Sequence, residues 1–346
     1  MIESLKNIKN GAGYYDNFDI DGVVNYLQNY KPTRLCSNAK ITSIVNGNLN
    51  ENEDCKTFIC EHIDQIEKKK NLNLNLENKK TFFEQDTAFL TPTINNQGYA
   101  YLNKLDDNII LEILKGLEKI NFYGRNTQKH VHNEYIKINQ IPSHLNQRNN
   151  NIHTYFMNQR NHKDVTDLLN IEALASLIVD PTILKTAKNH LGCLPKLQAI
   201  NSWITFYTDK NNEQAFAAQD WHTDNDCHKF FKVFLYLNDV DETNGAHEII
   251  SNSKKTISQI LKSHNLRRGQ IILEENKKIL SGPSGTIFLE DTRNLHRGGK
   301  ITNPNKYRIL LHWWYGSNND GTKNLQFLDQ KNLTHNILND YIGIIL

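Results

Sequence analysis

The periodicity of apolar residues changes at Gly192. Before this glycine they recur at helical spacing; after it they form short runs separated by turn-forming stretches, residues 209–212 and 303–305 among them. Several short strands with few helices between them predict an antiparallel sandwich or barrel. The predicted strands are Gln198–Tyr207, Phe230–Leu237, Gly245–Ile250, Gly285–Glu290 and Tyr307–Trp314.

The half of the chain before Gly192 predicts helices. Asp106 or Asp107 can cap a helix with an apolar face. A second helix is predicted over Asp164–Val179, and a third starts at Pro181 and stops at Gly192. Tyr99–Leu102 is predicted as a short strand. The first two helices are predicted from apolar residues at helical spacing. These are Ile110, Ile113, Leu114 and Leu117 in the first helix, and Leu168, Leu169, Ile171, Leu174 and Ile178 in the second.

Residues 1–95 are polar and irregular in pattern. We interpret them as an extension that packs on the main domain, residues 96–346. One amphipathic helix is predicted within the extension, over Lys56–Lys70.

Composition excludes several classes of protein. The 346 residues carry a net charge of +2 without a basic stripe, which excludes a nucleic-acid partner. No apolar run approaches the ~20 residues of a membrane span, and the first residues lack an apolar secretion segment. The five cysteines form no C-x-x-C pair, which favours reduced thiols and a cytoplasmic location. Nothing in the sequence indicates an oligomeric state.

A metal-friendly spacing occurs at His222-x-Asp224. In an extended segment, residues two apart point to the same side, so an imidazole and a carboxylate face one point. His296 is a candidate third ligand from another part of the chain. Two histidines and one carboxylate with open positions form the ligand set of non-haem Fe(II) oxygenases. The alternative is a surface His–Asp pair without a metal.

Arg308 follows His296 by twelve residues. If residues 286–314 form one hairpin that turns near Thr302, the two side chains are cross-strand neighbours. A guanidinium in that position suits the distal carboxylate of a 2-oxoacid that chelates the metal.

Ordered motifs around these residues resemble the phytanoyl-CoA dioxygenase family of Fe(II)/2-oxoglutarate oxygenases. The resemblance is strongest over residues 170–317. Its motifs are LGCLP at 191–195, AQDWHTD at 218–224, FLYLNDV at 234–240, NGAH at 244–247, GPSGTIFLEDT at 282–292 and LHRG at 295–298. Two positions depart from the family: residues 251–254 read SNSK where Pro-Gly-Ser-His is common, and Gly298 stands where relatives often carry a hydroxyl.

The resemblance implies a mainly β or α+β protein with a double-stranded β-helix (jelly-roll, cupin-like) core and flanking helices. It implies His222, Asp224 and His296 as catalytic iron ligands and Arg308 as the partner of 2-oxoglutarate. Thr205, and more weakly Tyr207, are candidates for further cosubstrate contacts; a structural hydroxyl is the alternative for Thr205.

The implied reaction uses Fe(II), 2-oxoglutarate and O2, and releases succinate and CO2. Because related halogenases lose the carboxylate ligand, Asp224 favours hydroxylation of a small natural-product, amino-acid or acyl-type molecule. The alternative function is a degenerate relative that binds a metal or ligand without turnover.

Other polar residues have two interpretations each. His312 and Trp314 share the predicted face of Arg308 and either line the substrate pocket or belong to the core. Lys232 is interpreted as a lysine on the solvent face of its strand rather than an anchor for an anionic substrate. Two further sets, Asp226 with His228 and His130 with His132 and Glu134, are interpreted as a solvated loop and as fortuitous spacing.

Overall fold

The computed structural model describes residues 79–125, 131–146, 155–158, 167–207, 219, 221–224, 229–253 and 276–316, together with residues 64, 74, 76 and 77. The Lys56–Lys70 helix, apart from residue 64, lies outside them. So do the side chains of His130, His132, Asp226 and His228 and every cysteine except Cys193, whose side chain is buried.

The helices begin and end at the expected kinds of residue. Asp106 caps the second helix through a hydrogen bond from the Asn108 amide, and Asp180 caps the fifth. Gly192 ends the fifth helix with a φ of +79°, in the left-handed region that favours glycine. No helix in the described part of the chain is long and apolar enough to cross a membrane. The bounds are α1 Thr87–Gln97, α2 Asp107–Leu117, α3 Ile141–Asn146, α4 Glu172–Ile178 and α5 Pro181–Leu191.

Antiparallel pairing builds the described strands into two sheets. The strands are β1 Tyr99–Tyr101, β2 Phe122–Arg125, β3 Val131–Ile136, β4 Tyr155–Met157, β5 Lys196–Phe206, β6 Phe231–Tyr236, β7 His247–Ile250, β8 Lys277–Leu280, β9 Ile287–Glu290, β10 His296–Gly298 and β11 Tyr307–Gly316. The large sheet has eight of them in the order β1-β9-β6-β11-β5-β4-β2-β3, and the small sheet has three in the order β10-β7-β8.

The chain alternates between the two sheets in the order of a jelly roll. A bridge between His222 and His296 adds the segment at 222 to the edge of the small sheet. From β5 onward the path then runs large, small, large, small, small, large, small, large. This alternation confirms the predicted double-stranded β-helix with flanking helices.

Two apolar layers cover the large sheet. Odd-numbered residues of β11, such as Leu311 and Trp313, pack in the cluster that contains the helices. Even-numbered Leu310 packs in a second cluster with residues of the small sheet, including Ile249 and Leu280. Both faces of β11 are therefore covered, and the space between the sheets is lined by residues 308, 310, 312 and 314.

Several predicted elements differ from the structure. The predicted helix Asp164–Val179 is broken, because Asn170 forms a turn and Ile171 is extended ahead of α4. Ile171 packs against Gly116 of α2, where an added Cβ would lie 2.7 Å from its Cγ1. Tertiary contact thus overrides the continuous apolar pattern. Strands β2, β3, β4 and β8 and helices α1 and α3 were not predicted.

Helix α1 crosses the boundary predicted at residue 95. It packs on α5 and leads directly into β1, which pairs with β9 of the large sheet. The division into an extension and a main domain stays a prediction.

The N-cap of α5 gives a test of how the helical layer is attached. The buried Asp180 carboxylate accepts hydrogen bonds from Thr182 N at 2.8 Å, Ile183 N at 3.1 Å and Phe82 N at 2.7 Å. Asp180→Ala should lower the free energy of unfolding by about 2–4 kcal/mol, since it removes a cap and strands amide donors. Asp106→Ala, at an exposed cap, should cost about 1 kcal/mol. Urea denaturation measures both, and equal costs would contradict this account.

Candidate metal centre

The three residues predicted to bind a metal converge at one edge of the small sheet. Ligand atoms of His222, Asp224 and His296 all lie within 4.8 Å of one another. The two histidines face each other across an antiparallel bridge, with backbone N–O distances of 3.0 and 2.9 Å. Asp224 reaches the same point, with Oδ1 3.7 Å from His222 Nε2 and Oδ2 3.3 Å from His296 Nε2.

Backbone contacts fix the orientation of these side chains. Nδ1 of His296 lies 2.9 Å from the carbonyl oxygen of Asn294, so the ring donates from Nδ1 and directs Nε2 at Asp224. The Asp224 amide donates to the carbonyl of Thr292 at 3.0 Å. The connection between β9 and β10 therefore positions both the Asp224 carboxylate and the His296 imidazole.

A buried ion pair stiffens that connection. Asp291 accepts two hydrogen bonds from the Arg293 guanidinium, at 2.7 and 2.6 Å. His190 of α5 approaches the same carboxylate at 3.8 Å, and the Asp291 amide donates to the carbonyl of Gly98. The loop that supplies His296 is thus tied to the helical layer.

The carboxylate at the centre is held in its ionised form. Burial raises the pKa of Asp224, but the Lys232 ammonium and the two imidazoles outweigh it and hold that pKa well below its ordinary value. Burial lowers the pKa of His296, yet the Asp224 carboxylate raises it further, to a net increase. An ionised carboxylate beside an imidazole nitrogen attracts a positive charge, whether a proton or a metal ion.

Arg308 lies near the centre, but not for the predicted reason. The hairpin over 286–314 is wrong, because β10 pairs with β7 in the small sheet whereas β11 pairs with β5 and β6 in the large one. The Arg308 side chain instead crosses the space between the sheets. A Cβ added to Gly298 would lie 2.9 Å from its Nη2, and its Nη1 donates to the carbonyl of Gly245.

The two other predicted cosubstrate contacts differ in position. Thr205 is directly opposite Arg308 in the large sheet and only 3% exposed. Its hydroxyl has no hydrogen-bond partner among the described residues. Tyr207 follows the end of β5 and is partly buried. Arg308 and Thr205 thus form one buried pair, and Tyr207 lies at its margin.

The interior also contains a charged residue that the sequence interpretation misplaced. Lys232 does not face solvent: it is 5% exposed, and its Nζ lies 2.6 Å from Asp224 Oδ2. Both faces of β6 are buried, so the alternation of its residues gave no sign of which face meets water. Opposite Lys232 in the sheet is Glu290, which is fully buried.

Glu290 and His247 form a buried contact that sequence reasoning missed. His247 Nε2 lies 2.8 Å from Glu290 Oε2, and the His247 ring stacks on that of His296 at 5.5 Å. The sequence did contain a signal for this contact. Glu290 ends the apolar strand β9, and it follows Phe288 by two residues, so it lies on the same inner face.

His312 and Trp314 face the same interior. The His312 ring lies 4.6 Å from Trp203 and 5.5 Å from Phe234, and its Nε2 is 3.3 Å from the Asn201 amide nitrogen. Burial, followed by the Lys232 ammonium, lowers the pKa of His312 to about 3. His312 is therefore neutral at physiological pH and belongs to the lining of the space between the sheets.

Comparison of the sequence with protein-family models gives no match, and comparison with curated proteins gives none. Membership of the phytanoyl-CoA dioxygenase family thus stays a prediction. Among solved structures, the non-heme alpha ketoglutarate dependent epimerase SnoN from nogalamycin biosynthesis is similar at 12% identity and TM-score 0.47, over 70% of this chain and 90% of that one.

Two other solved structures give similar values. HygX from Streptomyces hygroscopicus, with nickel and 2-oxoglutarate bound, is 12% identical at TM-score 0.45, over 67% of this chain and 87% of that one. EctD from S. alaskensis, with bound Fe, is 12% identical at TM-score 0.42, over 70% and 83%. The fold assignment rests on the strand order of this chain.

The buried neutral His312 predicts a pH dependence of stability. Because its pKa is about 3 when folded and 6.5 ordinarily, the unfolded chain takes up this proton first as pH falls. Stability should therefore decrease from about pH 6.5 toward pH 3, by up to ~1.4 kcal/mol per pH unit for this one group. His312→Gln should remove that part of the slope in urea denaturation between pH 6 and 4. An identical slope in both proteins would contradict the buried neutral imidazole.

Proposed function

We propose that this protein is an Fe(II)- and 2-oxoglutarate-dependent oxygenase that hydroxylates a small organic molecule. The observation that supports this most is the convergence of His222, Asp224 and His296 at the edge of a jelly roll, with a buried guanidinium between the same two sheets. Fe(II) is the metal for which two imidazoles and one carboxylate are the common ligand set.

The donor set fits the metal. His222, Asp224 and His296 come from two adjacent edge segments, so they would hold the ion from one side and leave positions for other ligands. A structural zinc site would instead be closed by a fourth protein ligand. Iron, when bound, supplies the activation of O2 that couples conversion of 2-oxoglutarate to succinate and CO2 with oxidation of the substrate.

Arg308 and Thr205 suit the distal carboxylate of 2-oxoglutarate. The guanidinium carries a permanent charge and a planar set of donors that matches a carboxylate. The Thr205 hydroxyl faces the same side of the sheet and can donate to that group. Gly298 leaves room for the guanidinium, since a Cβ at this position would lie 2.9 Å from Nη2 of Arg308.

The other groups at the centre orient the reactants and exclude water. Trp203, Phe234 and Trp314 line the interior around the neutral His312, which can bind an uncharged polar group. Asp224, the ligand that halogenases lack, favours hydroxylation. We place the protein in the phytanoyl-CoA dioxygenase family on its sequence motifs, with a natural-product, amino-acid or acyl-type substrate.

Loss of the carboxylate ligand tests the metal site. Asp224→Ala should weaken Ni(II) or Co(II) binding by at least about a hundredfold, since it leaves two neutral donors. It should also abolish succinate release from 2-oxoglutarate under air with added Fe(II). Asp107→Ala, at an exposed helical carboxylate, is the matched control and should behave as wild type.

Two outcomes would contradict the proposed function. Retained oxygenase activity in Asp224→Ala would refute the ligand assignment. Wild-type protein that binds metal and 2-oxoglutarate but releases no succinate with any substrate pool would instead identify a binding protein without turnover.

Arg308 is tested by its effect on the cosubstrate alone. Arg308→Leu should raise the dissociation constant of 2-oxoglutarate for the Ni(II)-loaded protein by about a hundredfold or more, through loss of charge-assisted hydrogen bonds. Gly298→Ala should raise it less, because the added Cβ only displaces the guanidinium. Calorimetry measures both, with Ni(II) affinity as the internal control. An unchanged 2-oxoglutarate affinity in Arg308→Leu would refute the assignment.

A further inference from the structure

Lys232 is a charged residue built into the interior of the jelly roll. It lies in β6, where every residue is buried, and its side chain enters the space between the sheets. Its Nζ is 2.6 Å from Oδ2 of Asp224. The same ammonium lies 4.8 Å from the ring centroid of Trp314 and 5.4 Å from that of Phe230.

This arrangement has an energetic cost that a neutral residue would avoid. An ammonium that leaves water loses solvation worth several kcal/mol, and only a close carboxylate with good geometry offsets that loss. Methionine or leucine would fit an apolar strand without it. The aromatic rings stabilise the ammonium through cation–π attraction, yet the carboxylate that this ammonium contacts is the one predicted to bind the metal. Lys232 therefore acts on Asp224.

We propose that Lys232 is a positioning residue that shares the Asp224 carboxylate with the metal. By holding Oδ2, it leaves Oδ1 as the oxygen for the metal and prevents coordination through both oxygens. The inference rests on the proposed metal site and specifies how that site is kept open. A carboxylate that binds through both oxygens would occupy two coordination positions. Binding through one oxygen leaves the second position available to another ligand.

The shared carboxylate also changes the charge that an incoming ligand meets. Lys232 neutralises the single negative charge of Asp224, so a divalent ion keeps its full charge at the centre. Arg308 adds a further positive charge between the same sheets. The site thus binds the metal less tightly than three ligands alone would, and it attracts a dianionic cosubstrate more strongly.

A single variant should change the affinity for the metal and the affinity for 2-oxoglutarate in opposite directions. Lys232→Met removes the ammonium but keeps a side chain of similar length in the strand. Its affinity for Ni(II) should rise by about tenfold or more, because Asp224 is no longer shared. The affinity of 2-oxoglutarate for the Ni(II)-loaded variant should fall by about tenfold. Isothermal calorimetry on the full-length protein measures both constants.

Three further variants keep the test decisive. Lys232→Gln also removes the charge and should shift both affinities in the same directions if the methionine variant folds poorly. Lys232→Arg retains the charge and should keep both within about threefold of wild type. Lys278→Met removes an exposed lysine from β8 and should change neither. Thermal melting with saturating Ni(II) verifies that each variant is folded.

The outcomes separate this inference from the proposed function. Affinities of Lys232→Met equal to those of wild type would overturn the role of Lys232 alone. Tighter Ni(II) binding with unchanged 2-oxoglutarate binding would also overturn it, because the ammonium would then only compete with the metal. A parallel loss of both affinities in the neutral variants would indicate a packing role and refute it. Wild-type protein that binds no Ni(II) would overturn the metal site itself.

Discussion

The bridge between His222 and His296 is the contact on which the candidate site depends. Its two backbone hydrogen bonds place His222 opposite His296, although the two residues are 74 positions apart in the chain. The carboxylate of Asp224 then reaches the same point because it lies two residues along the same segment. A change in register by one residue would turn His222 away from the interior and dismantle the ligand set.

Other parts of the fold maintain that register. Large-sheet strands form a surface covered by helices on one side and by the small sheet on the other. The Asp291–Arg293 pair and its contact with His190 tie the β9–β10 connection to α5. The helical half of the chain therefore holds the loop that precedes His296, one of the proposed ligands.

Sequence patterns predicted the fold class, and they also predicted three ligand residues that lie close together in the structure. The H-x-D spacing required only an extended segment, and the structure provides it. The hairpin that linked His296 to Arg308 was wrong because local pattern does not reveal which sheet a strand joins: β10 and β11 follow each other in the chain but pair in different sheets. The Arg308 guanidinium still reaches β10 at Gly298 because a jelly roll folds successive strands face to face.

Residues that lie between two covered layers were the hardest to interpret. In β6 both faces are buried, so Lys232 carried no alternating signal that could assign it to the interior. In β11 the alternation placed His312 on the face of Arg308, but it left open whether that face lines a pocket or belongs to the core. Glu290 was missed although its position at the end of the apolar strand β9, two residues after Phe288, gave a signal.

Buried contacts between acidic and basic side chains surround the centre and restrict its carboxylates. Asp224, Glu290 and Asp291 each have a basic partner, in Lys232, His247 and Arg293. Buried pairs of this kind add little stability relative to apolar residues of the same volume, but removal of one partner is costly. Each carboxylate is therefore restricted to the position that its partner defines. In the proposed metal centre this restriction would keep coordination positions open, because an unrestrained carboxylate could turn toward the metal and occupy one of them.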